Sequence, residues 1–219
     1  MKSIMTTRFV MNTVAAALLA SSLSACIPLV VGGAVVGGTL IANDRRTSGA
    51  QLEDEGIELR GSSRIRGNFG DRVHVNVNSY NRQVLLTGEV PTAQDKALVE
   101  QIISRVENVS SVVNELAILS SPSLVQRSAD ALITGRVKAM LVDTKDLFAN
   151  SFHVVTERGT TYLMGRVTQR EADRATAVAR GTSGVQKVVR IFEIISEEEL
   201  ARYLPTPAKP PAVKSANPN

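Results

Sequence analysis

The sequence predicts an α+β chain made of two tandem copies of one helix–strand–strand–helix–strand unit, and two observations predict it. Short stretches alternating apolar and polar residues, the period of a half-buried strand, are interleaved with stretches whose apolar residues recur at helical spacing. The same ordered set then returns about 77 residues later, too long for a solenoid repeat and suited to two small duplicated domains.

The first copy opens with a helix over roughly Ala50 to Ile65. Val73 to Val77 alternates as a strand, Ser79 to Arg82 turns, and Val84 to Val90 is a second strand. Pro91 and Thr92 start a helix through about Val106, with Ala97, Leu98, Ile102, Ile103 and Val106 on one stripe. Val109 to Leu119 closes the unit as a third strand. In the second copy a helix covers Ser123 to Leu141, Phe152 to Thr156 is a strand, and Glu157 to Thr160 makes a tighter turn. Thr161 to Val167 is the second strand, Thr168 to Arg180 the helix and Val185 to Ile195 the third strand. Gly88-Glu89-Val90 aligns with Gly165-Arg166-Val167; both glycines suit a strand end or a close helix crossing. The resulting units span 48–119 and 120–196.

The ends differ in kind. Lys2 and Arg8 precede an apolar stretch, Phe9 to Leu23, too short to span a bilayer and read as the core of a signal peptide over 1–25. It runs into Leu23-Ser24-Ala25-Cys26, which resembles the bacterial lipobox; that resemblance implies cleavage before Cys26 and a lipid anchor on its sulfur. Cys26 is the only cysteine, so an intrachain disulfide is excluded. Ile27 is not the aspartate that retains such proteins in the inner membrane of enteric bacteria, which implies the periplasmic face of the outer membrane. Residues 26–47, apolar and glycine-rich to Ala42, suit a tether near the membrane, and several acyl chains make a stable anchor. Ser196 with Glu199 forms a capping box for the short helix that opens 197–219 and that Pro205 stops, and a proline-rich disordered tail follows. The formal net charge of +4, less Lys2 and Arg8, leaves about +2, and no basic run or aromatic platform supports nucleic-acid binding.

A helix, a hairpin whose second strand ends in two apolar residues, any residue, glycine, any residue and valine, a helix and a strand together resemble the BON domain. Tyr162-Leu163-Met164-Gly165-Arg166-Val167-Thr168-Gln169-Arg170-Glu171-Ala172 carries that signature, and Val84 to Val90 is its counterpart in the first copy. Two such units behind a lipobox, with Asp44-Arg45-Arg46-Thr47-Ser48-Gly49 between, are similar to dual-BON outer-membrane lipoproteins. The resemblance implies two αββαβ domains, each a small three-stranded mixed sheet packed on two helices. It also implies anionic phospholipid binding through the first helix of the second domain, and support of envelope integrity, including at the division site.

The residues of that helix fit the implication. At about 100° per residue, Ala129, Ile133, Val137 and Met140 form a stripe that should pack on the sheet. Leu124, Leu132, Ala139 and Val142 fall elsewhere, beside Ser128 and Gly135, with Arg127, Arg136 and Lys138 on the same helix. Apolar residues off the core stripe and flanked by cations suit insertion at an anionic lipid surface. Packing of Leu132 and Val142 against the first domain is the competing expectation. Where the resemblance would place a tryptophan, Leu132 stands, without an indole's preference for the interface. The alternative function is a protein–protein adaptor for envelope machinery, such as β-barrel assembly or peptidoglycan hydrolase control, using the same patch.

Enzyme chemistry lacks its parts. There is no Gly-x-Ser-x-Gly elbow, phosphate loop or dinucleotide fingerprint, and an acylated Cys26 is no nucleophile. Asp95 and Glu171 lie near helix starts, where carboxylates favour the dipole. His74 and His153 read as equivalent strand positions of separate domains, each a surface or satisfied histidine, so neither a metal nor another cofactor is expected beyond the lipid on Cys26.

Overall fold

In the computed structural model, which describes residues 44–203, the Thr47 hydroxyl accepts the Ala50 N–H at 3.1 Å and opens α1 (Ser48–Phe69), longer at both ends than expected. Signal peptide, Cys26, glycine-rich stretch and proline-rich tail lie outside the described residues. There follow β1 (His74–Tyr80), β2 (Gln83–Val90), α2 (Ala93–Ser104), β3 (Ser111–Asn114) and β4 (Ala117–Ile118). The second unit runs α3 (Leu124–Asp143), β5 (His153–Glu157), β6 (Thr160–Val167), α4 (Gln169–Gly181), β7 (Lys187–Ile194) and α5 (Glu197–Ala201). In each unit the middle strand has one antiparallel and one parallel neighbour, β1–β2–β3/β4 and β5–β6–β7, the mixed sheet that the resemblance implies.

The third strand of the first unit is not continuous from 109 to 119. It breaks at Glu115 and Leu116, where Asn114 Oδ1 accepts the Leu116 N–H at 3.2 Å and its Nδ2 donates to the Lys96 carbonyl. The kink turns Leu116 into the core, and pairing with β2 resumes in the same register.

Both hairpins close on two residues with positive φ, Asn81 and Arg82 in one and Arg158 and Gly159 in the other, so the second is no tighter than the first. Each turn is held from below by a buried helical aspartate. Asp54 on α1 accepts the N–H groups of Asn81 and Arg82 at 2.8 Å, and Asp130 on α3 accepts those of Arg158 and Gly159 at 2.9 Å. This requirement sets the roll of α3. Its buried line is Asp130, Val137 and Leu141 with Ile133 partly buried, whereas Ala129 and Met140, expected in the stripe, are exposed. On α2, likewise, Val99 and Ile103 face the core, while Ala97 and Leu98 face solvent; an apolar count does not distinguish the edge of a stripe from its centre.

Alternation along the strands builds three cores. Val84 and Leu86 of β2 point to α1 and α2, and Val154 and Leu163 point to α3 and α4. The opposite faces meet each other: Tyr80, Leu85 and Val113 of the first sheet pack on Tyr162, Met164, Val155, Val189 and Ile191 of the second. Each sheet is therefore covered by its own helices on one face and by the other sheet on the second. The tip of each hairpin reaches the opposite domain, with Asn81 Nδ2 donating to Glu193 of β7 and Arg158 Nη1 to Glu89 of β2.

Gly88 and Gly165 lie inside strands, not at their ends. A Cβ at Gly88 (φ +112°) would sit 2.1 Å from the His74 carbonyl oxygen, and one at Gly165 would sit 2.4 Å from that of Ser151. The two contacts align Gly88 with Gly165 and His74 with Ser151. By that register His153 matches Asn76, so the two histidines do not occupy equivalent positions.

Candidate functional site

The face of α3 opposite its buried line is apolar and open. Leu124 is 74% exposed, Val125 80%, Leu132 64% and Val142 69%, with Ala139, Gly135 and Ser128 exposed among them. Leu132 and Val142 are therefore not covered by the first domain among the described residues. Arg127 and Lys138 border this face along one side and Arg136 along the other; all three are exposed, and Arg136 reaches only as far as the Ser183 carbonyl at 3.5 Å. The one acid within the helix away from its end, Asp130, is buried under the hairpin turn. The helix α1 contrasts with this: its exposed Leu52 and Leu59 stand among Glu53, Glu55 and Glu58.

At its C-terminal end the α3 face opens into a groove of about 640 Å³ between the domains. Lys138, Leu141 and Val142 line one side, Phe152 and His153 the floor, and Asp44, Arg46 and Tyr80 the other side. Arg46 lies 4.2 Å from the Tyr80 ring centre and pairs with Asp44 and Asp54 at 2.8 Å each. Burial, then the charge of Lys138, push the His153 imidazole down to about 4, and its Nε2 has no hydrogen-bond partner among the described residues. His153 is thus a neutral, half-buried group, neither the surface nor the satisfied histidine expected. Burial pushes the Tyr80 phenol up to about 12, an effect to which Asp44 adds.

Two further clusters were not legible as sites in the sequence. Arg45, placed in the tether by composition, is buried and forms a bidentate pair with Glu171 at 2.7 Å while also donating to the Arg166 carbonyl at 2.8 Å. Glu171 also completes a capping box with Thr168 at the start of α4, in keeping with its helix-start reading. Burial opposes its ionisation, but the Arg45 guanidinium and the Thr168 N–H hold its carboxyl below the usual range. At the other end of the sheet pair, His74 Nδ1 lies 2.9 Å from Glu89 Oε2, Arg158 Nη1 lies 3.3 Å from Glu89 Oε1, and Asn76 Nδ2 donates to Glu157 Oε2 at 2.8 Å. Burial, then Glu89, raise the Glu157 carboxyl above the ordinary carboxylate range. Only the paired aspartates left a trace in the sequence: Asp54 and Asp130 fall at matching places in the two copies, on helical lines that are otherwise apolar or small.

Comparison with known proteins agrees with this architecture. The BON domain profile matches residues 58–120 and 129–195. The chain is 34% identical over 175 residues to the outer membrane lipoprotein DolP of Haemophilus influenzae, covering 79% of this chain and 90% of that protein. It is 30% identical over 154 residues to a 21 kDa hemolysin of Actinobacillus pleuropneumoniae, covering 69% and 79%. A solved structure of CdsD, a structural protein of the type III secretion system of Chlamydia trachomatis, aligns over 72% of this chain and 99% of its own at 18% identity. The TM-score of that alignment is 0.26. Two matched domains, each folded as helix, hairpin, helix and strand, and a 34% identical outer membrane lipoprotein matched over 90% of its length place the chain in the BON family, among the dual-BON outer-membrane lipoproteins.

Proposed function

We propose that this protein is a binding module, not an enzyme, held at the periplasmic face of the outer membrane by acyl chains on Cys26, and that α3 of its second domain contacts anionic phospholipid. In that role it supports outer-membrane integrity, including at the division site. The observation that carries the reading is the exposed apolar face of α3, with Leu132 near its centre and Arg127, Arg136 and Lys138 on its borders. The apolar side chains would enter the interface while the cations meet headgroup phosphates, each cation adding about 1 kcal/mol near an anionic surface. Asp44, the first described residue, lines the same groove as Lys138 and Val142.

Co-sedimentation of residues 44–219 with vesicles tests this. Residues 44–219 contain all three cores and keep Arg45, which a shorter start would remove. Binding is expected to need phosphatidylglycerol and to weaken as salt screens the cations. Leu132→Glu should weaken it by about 10- to 100-fold, the loss of roughly 1.5–3 kcal/mol of apolar transfer. Undiminished vesicle binding by this variant would reject the site. Absence of vesicle binding by the unsubstituted protein would leave the acyl chains as the membrane contact and turn the patch into a surface for an envelope protein.

A further inference from the structure

The duplication allows the needs of the fold to be separated from what this chain adds. His74, Glu89 and Glu157 meet where the β5–β6 hairpin of the second domain touches the base of the first sheet. With the constant offset of the repeat, the matching positions at the other end of the sheet pair are Ser151, Arg166 and Tyr80. There Arg166 makes ordinary ion pairs with Glu193 and Glu199. The same scaffold therefore stands without an imidazole and two carboxylates at this place.

We propose that His74 Nδ1, Glu89 Oε2 and the free oxygen of Glu157 form a three-ligand zinc site across the seam between the two domains. One ligand atom from each residue lies within 4.8 Å of the others. Bonds of about 2.1 Å in a tetrahedron need ligand atoms roughly 3.4 Å apart, so binding would draw the three ligand atoms together by up to about 1.4 Å. The outer partners are already in place: Arg158 holds Glu89 Oε1 and Asn76 holds Glu157 Oε2, and the metal would replace the hydrogen bond between His74 Nδ1 and Glu89 Oε2. One nitrogen and two oxygens suit Zn²⁺; Ca²⁺ and Mg²⁺ need more oxygens than the cluster holds. The strands fix two of the ligands, since His74 and Glu89 are register partners on β1 and β2. The third comes from the other domain, so metal binding would clip the two sheets together.

Zinc titration into the metal-free full chain in detergent, followed by calorimetry, tests the site. One equivalent is expected to bind, with His74→Ala and Glu157→Gln each weakening it by more than about 100-fold. Excess Mg²⁺ is not expected to compete. Because either variant could lose its fold, the unsubstituted protein supplies a second readout. Zinc should shift the His74 imidazole resonances and leave those of His153 in place, and Co²⁺ should give the visible bands of a four-coordinate nitrogen–oxygen site. Failure to bind one equivalent, binding that survives both substitutions in folded protein, or a shift at His153 in place of His74 would each overturn the proposal.

Discussion

Replacing Arg45 with alanine should destabilise the protein far more than its position, three residues before α1 begins, suggests. Its guanidinium is buried against a fully buried Glu171, with two hydrogen bonds of 2.7 Å, and it also satisfies the Arg166 carbonyl. Removing one partner leaves an uncompensated carboxylate in the interior, which costs about 3–5 kcal/mol. Glu171→Gln strands the arginine instead, but the amide still accepts from Arg45 and caps Thr168, so about 2–3 kcal/mol is expected. The double variant should cost less than the sum, with a coupling of at least about 2 kcal/mol. Urea unfolding of residues 44–219 at pH 7 gives these differences from the midpoints, provided the slope is unchanged. Because the Glu171 pKa is lowered by folding, the stabilisation is present above the ordinary carboxylate value and is lost as pH falls through the folded one. A loss below about 1 kcal/mol for Arg45→Ala, or additive singles, would show that Asp44 to Thr47 is loosely attached and that the buried pair contributes little.

His153 offers an acid-side test. Folding lowers its pKa from 6.5 to about 4, so the unfolded chain binds the extra proton between those values, and stability should fall by up to about 3 kcal/mol as pH drops across that window. His153→Asn, which installs the residue found at the matching position 76, should flatten the difference; parallel pH curves for the two proteins would contradict this. The hairpin clamps predict an order of effects. Asp54→Ala, which strands two turn N–H groups, the Ser79 hydroxyl and Arg46, should cost about 3–4 kcal/mol, and Asp130→Ala, which strands two N–H groups, about 2–3 kcal/mol. Hydrogen exchange at Arg158 and Gly159 should quicken in Asp130→Ala, and unchanged protection there would exclude the clamp.

Local patterns were legible in the chain. Period-two strands, helical stripes, the helix openings at Thr92 and Thr168, the capping residue Ser196, and the repeat of the whole set led to two αββαβ units, and the structure contains them with Thr92 and Thr168 as N-caps. The exposed second patch on α3 was also readable, because a helix has room for one buried line and Leu132 and Val142 lie off it. Long-range packing fixed the rest, because its partners lie far apart in the chain. The roll of α3 followed from Asp130 reaching a turn 28 residues later, so that Leu141, not Met140, entered the core. The alternating residues Leu85, Tyr162 and Met164 signalled strands but not what would cover them; the answer, each other's sheet, depends on two surfaces matching in shape. Arg45 read as linker because charge near a glycine-rich stretch looks solvated, and its buried carboxylate partner lies 126 residues away. His74 and Glu157 share a site for the same reason: hydrophobic periodicity sets which side of a strand a residue faces, and only packing sets which residue from another domain it meets.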